Sequence, residues 1–170
     1  TNRLAEVPLH RNAITRLAAQ NFVQGTEVKP SGVAWPYVDG NAFTADVKTG
    51  SNWRTYVFGS LGRGGRGVFA LDATNVSELS ESRADNIFKW QFTAADDIDL
   101  GYQVGDAKVH STSNQAAGIA RLNNGKFAWI MGNGQQSLSG KAALYILYAD
   151  GPAGDGNWTG RYQKIVVDAG

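Results

Sequence analysis

The 170-residue chain carries a net charge of +1, with 42% hydrophobic, 11% aromatic and 18% charged residues, 21 glycines and no cysteine. Scattered Lys and Arg at this balance provide no field for nucleic acid or anionic lipid, and the lack of cysteine excludes disulfides and thiolate zinc sites. No apolar run approaches the roughly 20 residues that would span a membrane, and a chain opening at Thr1 reads as a piece of a longer polypeptide.

Residues 1–36 stand apart. Ile14, Leu17, Ala18 and Phe22 recur at helical spacing after a candidate cap at Asn12, which predicts one short helix. Pro8 and Pro30 bracket it, and residues 24–36 read as a loop.

Strand signals then take over. Residues 43–47, 53–61, 67–74 and 87–93 form a first set of four short strands, and 37–95 a first unit. The connections are short enough for antiparallel hairpins, except a polar loop at 75–85. A second unit occupies 96–170, with strands at 127–132, 142–149 and 161–167. Its first strand is 105–109 or 118–122, because the insertion 110–117 blurs the pattern.

The two units repeat. Gly59 ends an aromatic strand as Gly132 does, and Phe69-Ala70-Leu71 matches Tyr145-Ile146-Leu147. The central strands are apolar on both faces, and no helices alternate with them. That excludes a doubly wound α/β fold and suits sheets stacked between like sheets. The fold expected is all-β, a partial β-propeller of about two four-stranded antiparallel blades with an N-terminal helix. A β-sandwich is the structural alternative. Gly59 and Gly132 are expected to allow close approach of neighbouring backbone.

Few residues point to chemistry. Gly62-Arg63-Gly64-Gly65-Arg66-Gly67 has the spacing of a dinucleotide fingerprint, but a strand follows it where that site needs a helix. It is read as a structural turn that needs Gly67 and tolerates loss of both arginines, although Arg63 and Arg66 could meet an acidic partner. Asp96, Asp97 and Asp99 fall short of a calcium loop and are read as a solvated turn between the units. Asp150, Asp155 and Asn157 form a looser set in a solvated loop at 150–159. His10 and His110 lie in different regions, and no nucleophile elbow or supported carboxylate pair occurs. Asn75-Val76-Ser77 and Asn157-Trp158-Thr159 match the glycan acceptor pattern, which matters only where a secretory route uses it. No catalytic, cofactor-binding or metal-ligating residue is assigned.

The order of motifs resembles a family. Tyr37-Val38-Asp39-Gly40 precedes Trp53-Arg54-Thr55; the glycine-rich turn runs into Val68-Phe69-Ala70-Leu71-Asp72; then come Trp90-Gln91-Phe92 and Asp99-Leu100-Gly101-Tyr102. Leu122-Asn123-Asn124-Gly125-Lys126, Gly132-Asn133-Gly134 and Ala143-Leu144-Tyr145-Ile146-Leu147 complete the series. It resembles the C-terminal propeller of the PilY/PilC-type type IV pilus assembly and adhesion proteins. The resemblance implies a non-enzymatic module at the bacterial outer surface, exported through the periplasm and associated with the pilus. Implied partners are minor pilins or the pilus tip, host or abiotic surfaces, and the remaining propeller blades. The resemblance also implies that the parent protein could hold calcium in a loop of a later blade, as members typically do; no such loop lies within these residues, so no cofactor is expected here. The alternative is a fragment of a quinoprotein-like dehydrogenase propeller, whose blades the pattern also resembles.

Overall fold

The computed structural model describes residues 38, 40–105 and 118–167. The helix expected near residues 14–22, both histidines and the insertion at 110–117 lie outside the described residues. Two four-stranded antiparallel sheets make up the rest, in the orders β1-β2-β3-β4 and β5-β6-β7-β8. The strands are β1 Ala42–Thr49, β2 Asn52–Ser60, β3 Gly67–Asp72, β4 Phe88–Thr93, β5 Ile119–Arg121, β6 Phe127–Gly132, β7 Ala142–Tyr148 and β8 Tyr162–Val167.

Local sequence sets these bounds. Thr49 pairs with Asn52, leaving Gly50 and Ser51 as a two-residue hairpin loop, with Gly50 at φ 60°. Such a loop needs the left-handed conformation that glycine adopts without cost. The polar stretch before β4 is more ordered than expected. The Asn75 side chain accepts from the Ser77 N–H to cap a 3-10 turn at Val76–Glu78, and a helical turn, Ala84–Ile87, leads into β4. The first strand of the second sheet is Ile119–Arg121, within the second of the two stretches expected for it.

Sheet register separates the faces. Phe58 pairs with Phe43 and Ala70, and Ala70 with Trp90, so these side chains share the face that meets the second sheet. Trp129, Met131, Tyr145 and Leu147 answer from the other side. Phe43 and Phe58 pack on Trp129 with ring centroids at 5.3 and 5.6 Å, and Phe92 packs on Tyr145 at 5.4 Å and Tyr162 at 5.0 Å. Thus β1 and β2 face β6, while β4 faces β7 and β8. The strands are also matched in direction, since Trp53 meets Phe127 at one end and Phe58 meets Trp129 further along. Strand-by-strand stacking in the same sense is what rotation about a propeller axis produces. Phe58, Trp90, Phe92, Tyr145 and Leu147 are fully buried at this seam, and each large side chain buried contributes on the order of 2 kcal/mol.

The repeat is exact in side but not in register. Phe69 faces away from the second sheet and Tyr145 faces the first, so in a stack of blades both look the same way. Gly59 shares the side of Phe69, whereas Gly132 pairs with Leu144 on the side opposite Tyr145. A one-residue slip reverses a side chain's face, so the two glycines are not structural counterparts. Nor do they admit a neighbouring backbone. A Cβ on Gly59 would come within 2.5 Å of the Phe69 ring, and one on Gly132 would meet nothing within 4 Å.

Candidate functional site

The chemistry-bearing residues gather at the seam between the sheets. The connector leaving β4 is shaped first by Asp96, whose carboxylate accepts from the Thr93 N–H and hydroxyl at 2.8 and 2.9 Å. Asp97 and Asp99, two residues apart, then turn the same way, and the Asp97 carboxylate accepts from the Asp99 N–H at 3.0 Å. Both are buried, at 8% and 5% exposure. The sequence reading of a solvated turn is therefore corrected: these carboxylates hold a cation from β8.

That cation is Lys164. Its Nζ lies 2.7 Å from Asp99 Oδ2 and 2.8 Å from Asp97 Oδ2. The Tyr162 hydroxyl donates to Asp97 Oδ2 at 2.9 Å. Lys164 stands on β8 beside Tyr162 at alternate spacing, which places both on the face toward the first sheet. Burial works against the charge on Asp97, but the Lys164 ammonium, the Asp99 N–H and the Tyr162 hydroxyl outweigh it and hold the carboxyl below its ordinary range. Lys164, with Ser139, likewise lowers Asp99. Burial disfavours the ammonium itself, yet bonds to both carboxylates leave Lys164 raised. Burial and the neighbouring Asp97 push the Tyr162 hydroxyl up to about 12 and Tyr145 higher still.

These shifts describe a lock. A lysine held as ammonium is no base or nucleophile, and carboxyls held ionised are no acids near neutral pH. The same geometry does not fit calcium, which takes six to eight oxygens: the two carboxylates are committed to an ammonium. Among the described residues no group of three or more His, Asp or Glu side chains could hold a metal.

A second joint uses two of the motifs read from the sequence. Gly101 donates its N–H to the Asn133 carbonyl at 2.7 Å, and Tyr102 exchanges backbone bonds with Gln135 at 2.7 and 2.9 Å. The Asn133 side-chain amide donates to the carbonyls of Asp99 and Lys141, both at 2.7 Å, while its oxygen accepts from the Ala143 N–H at 3.0 Å. The approach is so close that a Cβ on Gly101 would sit 2.2 Å from the Gln135 oxygen. Gly134, at φ 78°, would meet the Tyr102 oxygen at 2.4 Å. Here, rather than at Gly59 and Gly132, glycine admits neighbouring backbone.

A third joint is aromatic. Trp90 and Trp158 cross edge to face, and each indole N–H donates to a carbonyl of the opposite segment. Trp158 was hidden in a loop rich in Gly and Asp that read as solvated, yet it is 4% exposed. In the same loop, Asp155 only caps the Asn157 N–H, and Asn157 accepts from the Thr159 N–H.

The glycine-rich turn forms a 3-10 turn, Gly62–Gly64, and enters β3 without any helix. Gly62, not Gly67, takes the left-handed conformation, at φ 58°. Arg63 is exposed, whereas Arg66 crosses the seam: Nε donates to the Gln136 carbonyl at 3.0 Å, and the guanidinium lies 4.5 Å from the Tyr102 ring centroid.

A family model described as the PilY1 beta-propeller domain matches residues 13–167. Type IV pilus biogenesis factor PilY1 of Pseudomonas aeruginosa strain PAO1 is 39% identical over 111 residues, covering 65% of this chain and 8% of that protein. A PilY1 homolog of Xylella fastidiosa strain Temecula1 is 37% identical over 111 residues, covering 65% of this chain and 7% of that protein. The chain therefore spans only a small part of the curated relatives it matches. The crystal structure of the Pseudomonas aeruginosa PilY1 C-terminal domain aligns with a TM-score of 0.57 at 34% identity, over 79% of this chain and 23% of that chain. With two stacked antiparallel sheets, motifs spent on joining them and a family model covering most of the sequence, the chain belongs to the PilY1 beta-propeller domain family.

Proposed function

We propose that this chain is a non-enzymatic propeller segment of a type IV pilus biogenesis protein, supporting pilus assembly and surface attachment from the outer face of a bacterium. One observation carries the reading: the motifs on which the resemblance rests, Asp99 to Tyr102 and Gly132 to Gly134, are consumed in fastening one sheet to the next. No helix among the described residues is long and apolar enough to cross a membrane. Minor pilins or the pilus tip are the partners this role requires. The far face of the second sheet, with Ile130, Leu144, Ile146, Ile165 and Val167, is read as the seat of another blade of the parent protein.

Complementation tests the proposal. In bacteria lacking the parent gene, the parent protein carrying Asn133→Ala should be exported but should restore fewer surface pili and weaker attachment. Wild-type piliation and attachment from that variant would overturn it. So would dye-linked alcohol oxidation by the complete protein supplied with quinone and calcium, which would favour the dehydrogenase alternative.

A further inference from the structure

Blade stacking covers the flat faces of a sheet, not the row of backbone groups along its outermost strand. Such edges are normally blunted by shortness, by charge or by bonds to the chain's own groups. Three of the four edge strands follow that rule. β5 is three residues long, and β1 presents exposed Asp46 and Lys48. Along β4, the Ala94 N–H donates to the Arg66 carbonyl, a ladder phase that turns the backbone groups of Gln91 and Thr93 outward. Both residues are engaged there. Trp158 donates to the Gln91 carbonyl, the Asp96 carboxylate accepts from the Thr93 N–H, and the Asp96 and Asp97 N–H groups donate to the Thr93 carbonyl.

Strand β8 is the exception. The Tyr148 N–H donates to the Arg161 carbonyl, so Arg161, Gln163 and Ile165 bond to β7, while Tyr162, Lys164 and Val166 turn their N–H and C=O groups outward. Among the described residues nothing bonds to those outward groups. The strand has no proline and no bulge, and its one charge, Lys164, is spent on Asp97 and Asp99. Val166 lies on the side facing the first sheet, yet it is 43% exposed. The chain leaving β4 turns at Asp96 and Asp97 into the second sheet rather than back along β4. By the match of Phe69 to Tyr145, Thr93 corresponds to Val166. Three residues beyond Thr93 stands Asp96, but three beyond Val166 stands Ala169, with no carboxylate to close the edge.

We propose that the β8 edge docks an extended segment of a partner polypeptide as an added strand, recognised through its backbone. The partner's N–H and C=O groups pair with those of Tyr162, Lys164 and Val166. Uncharged β-branched side chains suit the exposed Ile165, Val166 and Val167 beside them. A second copy fits worse, because centred antiparallel pairing of β8 with itself sets Lys164 opposite Lys164. The inference needs the sheet but not the pilus role, so it can fail while that role stands.

The test uses the complete parent protein and a fluorescent peptide of alternating threonine and valine, with the same peptide N-methylated at every second residue as its counterpart. Fluorescence anisotropy should show binding of the unmethylated peptide only, unchanged by salt because the contacts are neutral. Val166→Pro removes an outward N–H that β7 does not use. It should weaken binding about tenfold and leave thermal stability unchanged. Amide exchange gives an independent readout: Tyr162, Lys164 and Val166 should exchange faster than Gln163 and Ile165 in the free parent, and should slow when the peptide binds. Protection of those three amides without peptide would show that the parent covers its own edge and would overturn the proposal. So would protection that rises with protein concentration, which assigns the edge to a second copy. No binding, equal binding of the methylated peptide, or full binding by Val166→Pro would overturn it as well.

Discussion

Trp90 and Trp158 meet edge to face across the seam, with ring centroids 5.4 Å apart and planes at 89°. Each indole N–H reaches 2.9 Å across, Trp90 to the Ala149 carbonyl and Trp158 to the Gln91 carbonyl. Reciprocal bonding of this kind fixes both the spacing and the lateral register of the two sheets. Replacing Trp158 with Ala removes a buried ring and leaves a cavity, for a loss of about 3 kcal/mol. Trp158→Phe keeps an aromatic ring but orphans the Gln91 carbonyl, for a loss of about 1 kcal/mol. Denaturant melts of the parent protein should place the two variants in that order; equal losses would show that the indole N–H contributes nothing.

The ionic lock predicts a pH plateau with two different flanks. Asp97 and Asp99 are lowered in the folded state, so their contribution is present above the unfolded carboxylate value near pH 4 and is lost as pH falls below it. Lys164, Tyr162 and Tyr145 are raised, so their contribution is complete below the unfolded values near pH 10 and is lost as pH rises beyond them. Lys164→Met strands two neighbouring carboxylates, whose values then rise. The variant should lose about 2 kcal/mol at pH 7, a figure tempered by the lysine's partial exposure, and should recover part of it near pH 4. Urea midpoints at the two pH values measure this, and a deficit that does not shrink in acid would count against the lock.

The two arginines of the glycine-rich turn should separate. Arg66→Ser loses a bond to the Gln136 carbonyl and a cation–π contact with Tyr102, together worth about 1 kcal/mol. Arg63→Ser should fall within about 0.5 kcal/mol of the parent. Thermal melts decide it, and indistinguishable variants would mean that the Arg66 contacts are energetically silent.

Two glycines offer the sharpest contrast. Gly101→Ala drives a methyl group to within 2.2 Å of the Gln135 oxygen and should cost about 2 kcal/mol as the backbone shifts. Gly132→Ala meets nothing within 4 Å and should be neutral or stabilise by about 0.5 kcal/mol, since it restricts the unfolded chain. Comparable losses in both variants, by hydrogen exchange or melting, would contradict the close approach at Gly101.

The sheets were readable because aromatic and β-branched runs punctuated by Gly and Asn are local signals, and apolar residues on both strand faces betray stacking. The joints were less readable because their halves lie far apart. Asp97 and Asp99 resemble an incomplete calcium loop until Lys164, from the other end of the sheet system, is placed beside them. Trp158 sits among Gly, Asp and Asn, where composition argues for solvent and only the tertiary fold recruits the ring. Arg66 looked like a free tip because nothing local reveals the Gln136 carbonyl. The lone charge of β8 was the available clue: Lys164 shares the face of Tyr162, and a lysine so placed needs a carboxylate.

The dipeptide Asn133-Gly134 carries a consequence for chemical ageing. Asparagine before glycine is prone to deamidation, because the following amide nitrogen can attack the side-chain carbonyl to form a cyclic imide. Three hydrogen bonds fix the Asn133 amide in the folded protein, so the reaction belongs to opened molecules. Once it has happened, a carboxylate oxygen replaces the donor that faced the Asp99 and Lys141 carbonyls, and three acceptors confront one another. Each transient opening at this loop therefore risks converting a reversible separation of the sheets into a permanent one. Peptide mapping after repeated heating should find deamidation at Asn133 enriched in the molecules that fail to refold, whereas deamidation at the exposed Asn124-Gly125 turn should be shared equally by refolded and failed molecules.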